Sequence, residues 1–293
     1  MLNRKWVGGV VTGALFGLAL SCPANAEFTL FENFNNLTAG QPLNGQNGWT
    51  STSNAAASTT VRSGAAGNLA SAANTSNSAT SANYKPLGGL SILDNTTGTV
   101  FFQYVKSNGG VSANTAMNGS VTLTDVDAPA NTSDQNAVML NSDPGQAGGV
   151  FRARNTATFT NLSTAGTTAT DLVPNVNAIY NVWFVVDNAA NNYKIYIQSN
   201  DDPRVSTQTQ LVADNGSGGV FGFRDASITR GPNLDMDTFN FGIGGSGVTA
   251  QLQVDNVYVD PTGTNLANPA PEPATLALLG LAGGVTLLRR RRA

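Results

Sequence analysis

The sequence predicts an all-β protein: one jelly-roll β-sandwich over residues 27–260, flanked by an N-terminal signal peptide and a short C-terminal hydrophobic helix. Three observations predict it. About ten short runs rich in β-branched and aromatic residues recur along the chain, each bounded by Gly, Asn, Asp or Pro. No stretch between the two ends carries a helical apolar period. The acidity is almost all aspartate, with glutamate only at Glu27, Glu32 and Glu272, and aspartate favours turns and caps over helix interiors. No repeat of about 20–50 residues is present, so a propeller or solenoid is not indicated.

The elements follow in order. Arg4 and Lys5 form a positive n-region, residues 6–20 an apolar h-region, and Ala24-Asn25-Ala26 a signal-peptidase site, so the exported chain begins at Glu27. Leu20-Ser21-Cys22 also resembles a lipobox faintly, although Ala19 stands where a larger aliphatic is usual. Residues 28–34 (FTLFENF) open the sandwich, and 43–49 (LNGQNGW) supply Asn-Gly turn signals and a Trp to bury. Residues 51–83, rich in Ala, Ser, Thr and Asn, read either as disorder or as a low-complexity strand pair. Strands are expected at 99–106, 120–124, 137–140 and 149–154.

The best pair is 179–187 (IYNVWFVVD) and 193–198 (YKIYIQ), joined by a hairpin-length loop. In the second of these, Tyr193, Ile195 and Ile197 share one face and Lys194, Tyr196 and Gln198 the other. Further strands are expected at 220–224, 238–243 and 252–259. In 252–259 (LQVDNVYV) the alternation is imperfect, since Val257 and Val259 fall in step with Gln253 and Asp255. A Pro/Asn-rich stretch, 261–270, reads as a linker.

The chain ends in three parts: Pro271-Glu272-Pro273, an uncharged apolar run at 274–288, and Arg289, Arg290, Arg291 and Arg292 before Ala293. A helix over that run reaches ~22 Å, short of the ~30 Å hydrocarbon core, so it anchors only marginally. Basic clusters at both ends hold the two termini inside and translocate the body. This tail resembles the PEP-CTERM sorting signal of Gram-negative bacteria, over residues 271–293 alone. The resemblance implies that Pro271, Glu272 and Pro273 are recognised by an exosortase, a membrane transpeptidase that removes the tail. It implies transient inner-membrane anchoring and a final place in the cell envelope or extracellular matrix.

Composition bounds the body. Cys22, the single cysteine, departs with the signal peptide, so the exported chain has no disulfide. The absence of histidine excludes a Ser-His-Asp or Cys-His site and a His-ligated zinc. Six of the fifteen basic residues and one of the eighteen acidic ones lie in the two ends, which leaves a body near −8. That charge disfavours nucleic acid as a partner and leaves carboxylates for divalent cations.

A second resemblance rests on the body. Trp183, Val185 and Asp187, a short turn, then Tyr193-Lys194-Ile195-Tyr196-Ile197 look like the hairpin of concanavalin A-like, laminin-G-type sandwiches. Residues 254–259 resemble the last strand of that fold, which pairs with the first; Phe31-Glu32-Asn33-Phe34 and Asn47-Gly48-Trp49 also fit. The Glu-x-Asp-x-x-Glu strand of the laminarinase-type glucanases in that superfamily is missing, so no catalytic residue is carried over.

Several side chains remain candidates for chemistry. Asp125-Val126-Asp127 and Asp235-Met236-Asp237 each put two carboxylates on one strand face, ~7 Å apart. They read as a glycosidase carboxylate pair, as calcium ligands together with Asp201-Asp202, or as solvated turn residues. Trp49, Tyr104, Tyr196 and Tyr258 are candidates for stacking on sugar rings, or else core. Arg152 and Arg154 share a face that suits an acidic polysaccharide, or guards a sheet edge. The Gly-rich stretch 242–247 lacks the Lys-Ser/Thr and the βα context of a phosphate loop.

The expectation is a non-enzymatic exported envelope or matrix protein whose sandwich associates with exopolysaccharide. A secreted Asp-dependent glycoside hydrolase and a matrix protein without a specific ligand are the alternatives.

Overall fold

A computed structural model describes residues 27–53, 57–64, 67–74, 81–107, 119–125, 137–142, 149–224, 234–244 and 251–269. Residues 1–26, expected as a signal peptide, residues 271–293, expected as a sorting tail, and Asp127 lie outside the described residues. The strands are β1 (Thr29–Glu32), β2 (Thr50–Ser53), β3 (Ala57–Gly64), β4 (Gly67–Asn74), β5 (Ser81–Pro86) and β6 (Thr97–Ser107). There follow β7 (Gly119–Thr124), β8 (Val138–Ser142), β9 (Phe151–Asn155), β10 (Thr158–Ser163), β11 (Ile179–Asp187) and β12 (Asn192–Gln198). The last are β13 (Thr209–Gln210), β14 (Val212–Ala213), β15 (Phe221–Gly222), β16 (Thr238–Ile243) and β17 (Gln251–Asp260). Three short 3-10 turns are the only helical elements among the described residues.

The strands form two antiparallel sheets packed as a jelly-roll sandwich. One sheet runs β13-β12-β11-β6-β17-β4-β3, with β1 also on β17 and β15 on β12. The other runs β14-β10-β9-β8-β7-β16-β5-β2. The first and last strands pair, Thr29 with Val259 and Leu30 with Tyr258, as the second resemblance implies. The alternation in β12 holds: Tyr193, Ile195 and Ile197 are buried in the core, and Lys194, Tyr196 and Gln198 face outward.

Rings lock the two inner faces together. Phe102 meets Phe184 at 5.0 Å and Phe239 of the opposite sheet at 6.0 Å, and Tyr104 meets Phe151 at 5.2 Å. Such edge-to-face pairs add to burial because ring edges are positive and faces negative. Residues 57–64 and 67–74, left open in the sequence, pair as β3 and β4. Its small residues suit the place: Ala70 and Ala72 lie under the core, and Ser71 accepts from the Gln251 amide at 2.6 Å. Gly242 sits mid-strand in β16, where any side chain would run into the Ser81 carbonyl, so its role is close backbone approach.

Strand β17 carries the feature that positions the site. Along one edge its first half pairs with β4 as far as Val254–Ala70, and its second half pairs with β1 from Val257–Glu32. Asp255 and Asn256 lie at the junction. On the other edge Asp255 faces Gln103 and Tyr258 faces Phe101, which leaves one extra residue in β17, a β-bulge. Asn256 adopts a φ of 50°, a left-handed conformation that asparagine tolerates better than most residues. The bulge explains the broken alternation: Leu252 and Val254 point into the core before it, Val257 and Val259 after it.

Candidate functional site

The bulge opens a cleft of about 340 Å³ on the outer face of the sheet that contains β17. Asn256 and Tyr258 line it from β17, Phe101 and Gln103 from β6, Asn181 from β11, and Asn33, Asn35, Asn268 and Pro269 from flanking segments. No charged side chain is among them.

Three of these amides are linked. Asn256 Nδ2 donates to Gln103 Oε1 at 2.8 Å, and Gln103 Nε2 donates to Asn181 Oδ1 at 3.1 Å. The chain crosses three neighbouring strands. Asp255 anchors its start: its Oδ1 accepts from Asn256 N at 2.8 Å and its Oδ2 from Asn256 Nδ2 at 3.4 Å. Burial pushes the Asp255 carboxyl up to about 7, against the pull of the Asn256 N–H and with added repulsion from Glu32.

The stretch expected as a linker is docked over this face as far as Pro269. Asp260 Oδ1 accepts from Thr262, Asp260 Oδ2 from the Asn265 amide, and Thr99 Oγ1 from Asn265 N. Trp183 Nε1 donates to Ala267 O at 3.0 Å, and Gln208 Nε2 donates to Leu266 O at 2.8 Å. This strap keeps Trp183 buried and brings Asn268 to the cleft wall.

Beside the cleft, β1 delivers Glu32 into a buried cluster. Its Oε1 accepts from Phe34 N at 2.9 Å. Its Oε2 accepts from Lys85 Nζ at 2.8 Å, the Asn47 amide at 2.9 Å and Trp49 Nε1 at 3.1 Å. Burial alone would raise this carboxyl, but the Lys85 bond, the Phe34 N–H, the Lys85 charge and the Trp49 indole outweigh it and hold the group below its ordinary value.

The sequence candidates fall in different places. Trp49 and Tyr104 are core residues, not sugar platforms. Trp49 is 1% exposed and packs on Phe34, Phe239 and Phe241, and Tyr104 is fully buried. Both fill the space between the sheets, Tyr104 because it falls on the inward face of β6. Tyr196 lies half-buried on the same outer face as the cleft, opposite Trp183, its hydroxyl 3.3 Å from Gln210 Oε1. Tyr258 lines the cleft.

The aspartates serve local structure. Asp235 Oδ1 accepts from Asp94 N at 2.8 Å, and Asp237 and Asp125 each accept from a neighbouring threonine hydroxyl. Asp201 accepts from Ile179 N, and buried Asp202 accepts from Tyr180 and Arg204. No group of three carboxylate, histidine or cysteine side chains that would hold a metal ion occurs among the described residues. Arg152 and Arg154 sit on β9, an interior strand rather than an edge, each 4.5 Å from the centre of the Phe159 ring.

The cleft amides escaped the sequence reading, although a signal existed. Gln103 and Asn181 are lone amides inside apolar strands, each at an outward position, and Asn256 sits where the alternation breaks.

No protein-family model matches the chain, and no curated protein matches it. Solved structures do. The carbohydrate recognition domain of Emp47p is 11% identical, with 82% of this chain and 98% of that one covered and a TM-score of 0.47. Lectin I-B4 from Griffonia simplicifolia is 9% identical, covers 79% and 98%, and scores 0.44. A carbohydrate esterase from the Shiga toxin-encoding bacteriophage phi24B is 12% identical, covers 79% and 98%, and scores 0.45. At these values nothing about a ligand follows from the likeness.

Proposed function

We propose that this chain is an exported cell-envelope or matrix protein whose sandwich binds a neutral polysaccharide in the amide-lined cleft. One observation carries the binding half: three linked amides across adjacent strands, beside the half-buried ring of Tyr258, with no charge in the lining. An amide offers both a donor and an acceptor, which is what a sugar hydroxyl requires. A tyrosine face stacks on the C–H face of a pyranose while the amides fix its hydroxyls. Phe101 is only 4% exposed, so Tyr258 is the platform. The cleft volume falls in the range of small-ligand sites, about 300–1,000 Å³.

Support for export and sorting comes from the sequence at both ends: Ala24-Asn25-Ala26 before Glu27, and the Pro271-Glu272-Pro273, apolar and arginine parts of the tail. In this reading an exosortase-type transpeptidase acts on the tail. The intact mass of the protein recovered from the cell surface tests it: a chain ending near Pro271 supports processing, and a chain reaching Ala293 overturns it.

Binding is tested by retention on immobilised neutral polysaccharides. Wild type is retained, and Gln103→Ala and Asn181→Ala lose about fivefold or more each, the equivalent of one net hydrogen bond. Wild type that binds no neutral glycan overturns the reading.

A further inference from the structure

Asp255 stands outside the cleft lining, yet it touches the one residue from which the amide chain starts. Its carboxylate accepts from both the backbone N–H and the side-chain Nδ2 of Asn256. A carboxylate only accepts, so it dictates which end of the Asn256 amide faces it. With Nδ2 turned toward Asp255 and Gln103, Gln103 must present Oε1 to Asn256 and Nε2 to Asn181. Asn181 then receives on Oδ1 and keeps its Nδ2 donors for the cleft. The direction of every bond in the row follows from one charge at its end.

We propose that Asp255 is a positioning residue that sets the hydrogen-bond direction of the Asn256–Gln103–Asn181 row and thereby the pattern of donors and acceptors the cleft offers. A protonated Asp255 carries an O–H that must donate. The favoured partner is Asn256 Oδ1, which requires the Asn256 amide to turn over. Gln103 then donates to Asn256, Asn181 donates to Gln103, and the cleft meets the carbonyl of Asn181 in place of its NH₂. No bond is lost; the row reverses.

The surroundings favour control by this one group. β6 faces Asp255 with neutral Gln103, and β4 pairs up to Val254 through neutral Ala70. β1 supplies Glu32, the charged group that acts on Asp255, itself bound to Lys85 of β5. Burial and that repulsion place the change near pH 7.

The importance of this row for ligand binding rests on the sugar-binding reading; its reversal does not, and the test separates the two. Side-chain amide resonances of Asn256, Gln103 and Asn181 are followed by NMR in the ligand-free full chain from pH 5 to 9. The expected result is one shared midpoint near 7 in all three, absent in Asp255→Asn. Three flat titrations, or different midpoints for the three amides, overturn the proposal. Retention on a neutral polysaccharide is measured at pH 5.5 and pH 8 for both proteins. A change of about fivefold in wild type that vanishes in Asp255→Asn supports the proposal, and retention that is equal at both pH values overturns the link to the cleft. Titrating amides with no retention at any pH support the control of the row by Asp255 and overturn the sugar reading alone.

Discussion

Glu32 and Asp255 are two carboxylates at one corner of the sandwich, and they answer burial in opposite ways. Glu32 is 4% exposed, yet its carboxyl is held below the ordinary value. Asp255 is half-buried, and its carboxyl is pushed up to about 7. Desolvation is the largest influence on both. What differs is the partner set. Glu32 has a lysine, an indole, a side-chain amide and a backbone N–H, whereas Asp255 has the two donors of a single asparagine and a like charge nearby. Partners set against desolvation decide which charge the fold keeps. The difference divides structural from adjustable: Glu32 fixes the corner, and Asp255 is left able to change state beside a cleft.

The largest effect is expected from Trp49→Ala, which empties the ring cluster over Glu32 and removes one of its donors. It should cost about 3–5 kcal/mol in denaturant unfolding, and a loss below about 1 kcal/mol would show that the corner does not depend on it.

Glu32→Gln comes next. It leaves Lys85, whose side chain is 14% exposed, without its counter-charge and should cost about 3 kcal/mol. It also removes the repulsion on Asp255, so the Asp255 midpoint should fall. An unmoved midpoint would assign the shift to burial alone. For Glu32 itself the lowered value means that its contribution is present above its unfolded pKa and is lost as pH falls through the still lower folded one.

Asp255→Asn should act in the opposite sense. The native carboxyl is raised from 3.8 to about 7, so the folded chain holds an extra proton between those values. Its contribution is complete below about pH 4 and gone above about pH 7. The substitution should therefore stabilise the protein at pH 8, on the order of 1 kcal/mol, and do little at pH 4. Equal effects at both pH values would remove the contrast with Glu32.

The smallest effect concerns calcium. Asp125, Asp235 and Asp237 already accept hydrogen bonds from the protein. Chelator should shift the melting midpoint by less than about 1 °C, and a larger shift would point to a site built with Asp127.

Some of this was legible in the residues. The alternation of Tyr193-Lys194-Ile195-Tyr196-Ile197 states which side chains enter the core, because a strand has a period of two and one of its faces must be covered. The absence of a helical period states the fold class. Trp49 and Tyr104 show the limit: an aromatic in a β protein suits a core or a binding face equally, and only the position of the opposite sheet chooses. Asn256 shows it more sharply. The broken alternation of LQVDNVYV marks an irregularity, but a bulge is a relation between strands, and nothing local says that β4 ends and β1 begins on either side of it.

The sequence by itself therefore determined an all-β body without an internal disulfide or histidine chemistry, because composition and short-range periodicity are properties of the chain alone. The tertiary structure decided that Gln103, Asn181 and Asn256, 153 positions apart at the extremes, form one row, that residues 261–269 cover Trp183, and that Asp255 rather than Glu32 holds the adjustable charge. Each of these is fixed by strand register and by what one strand meets on its neighbour, and neither exists until the sheet has closed.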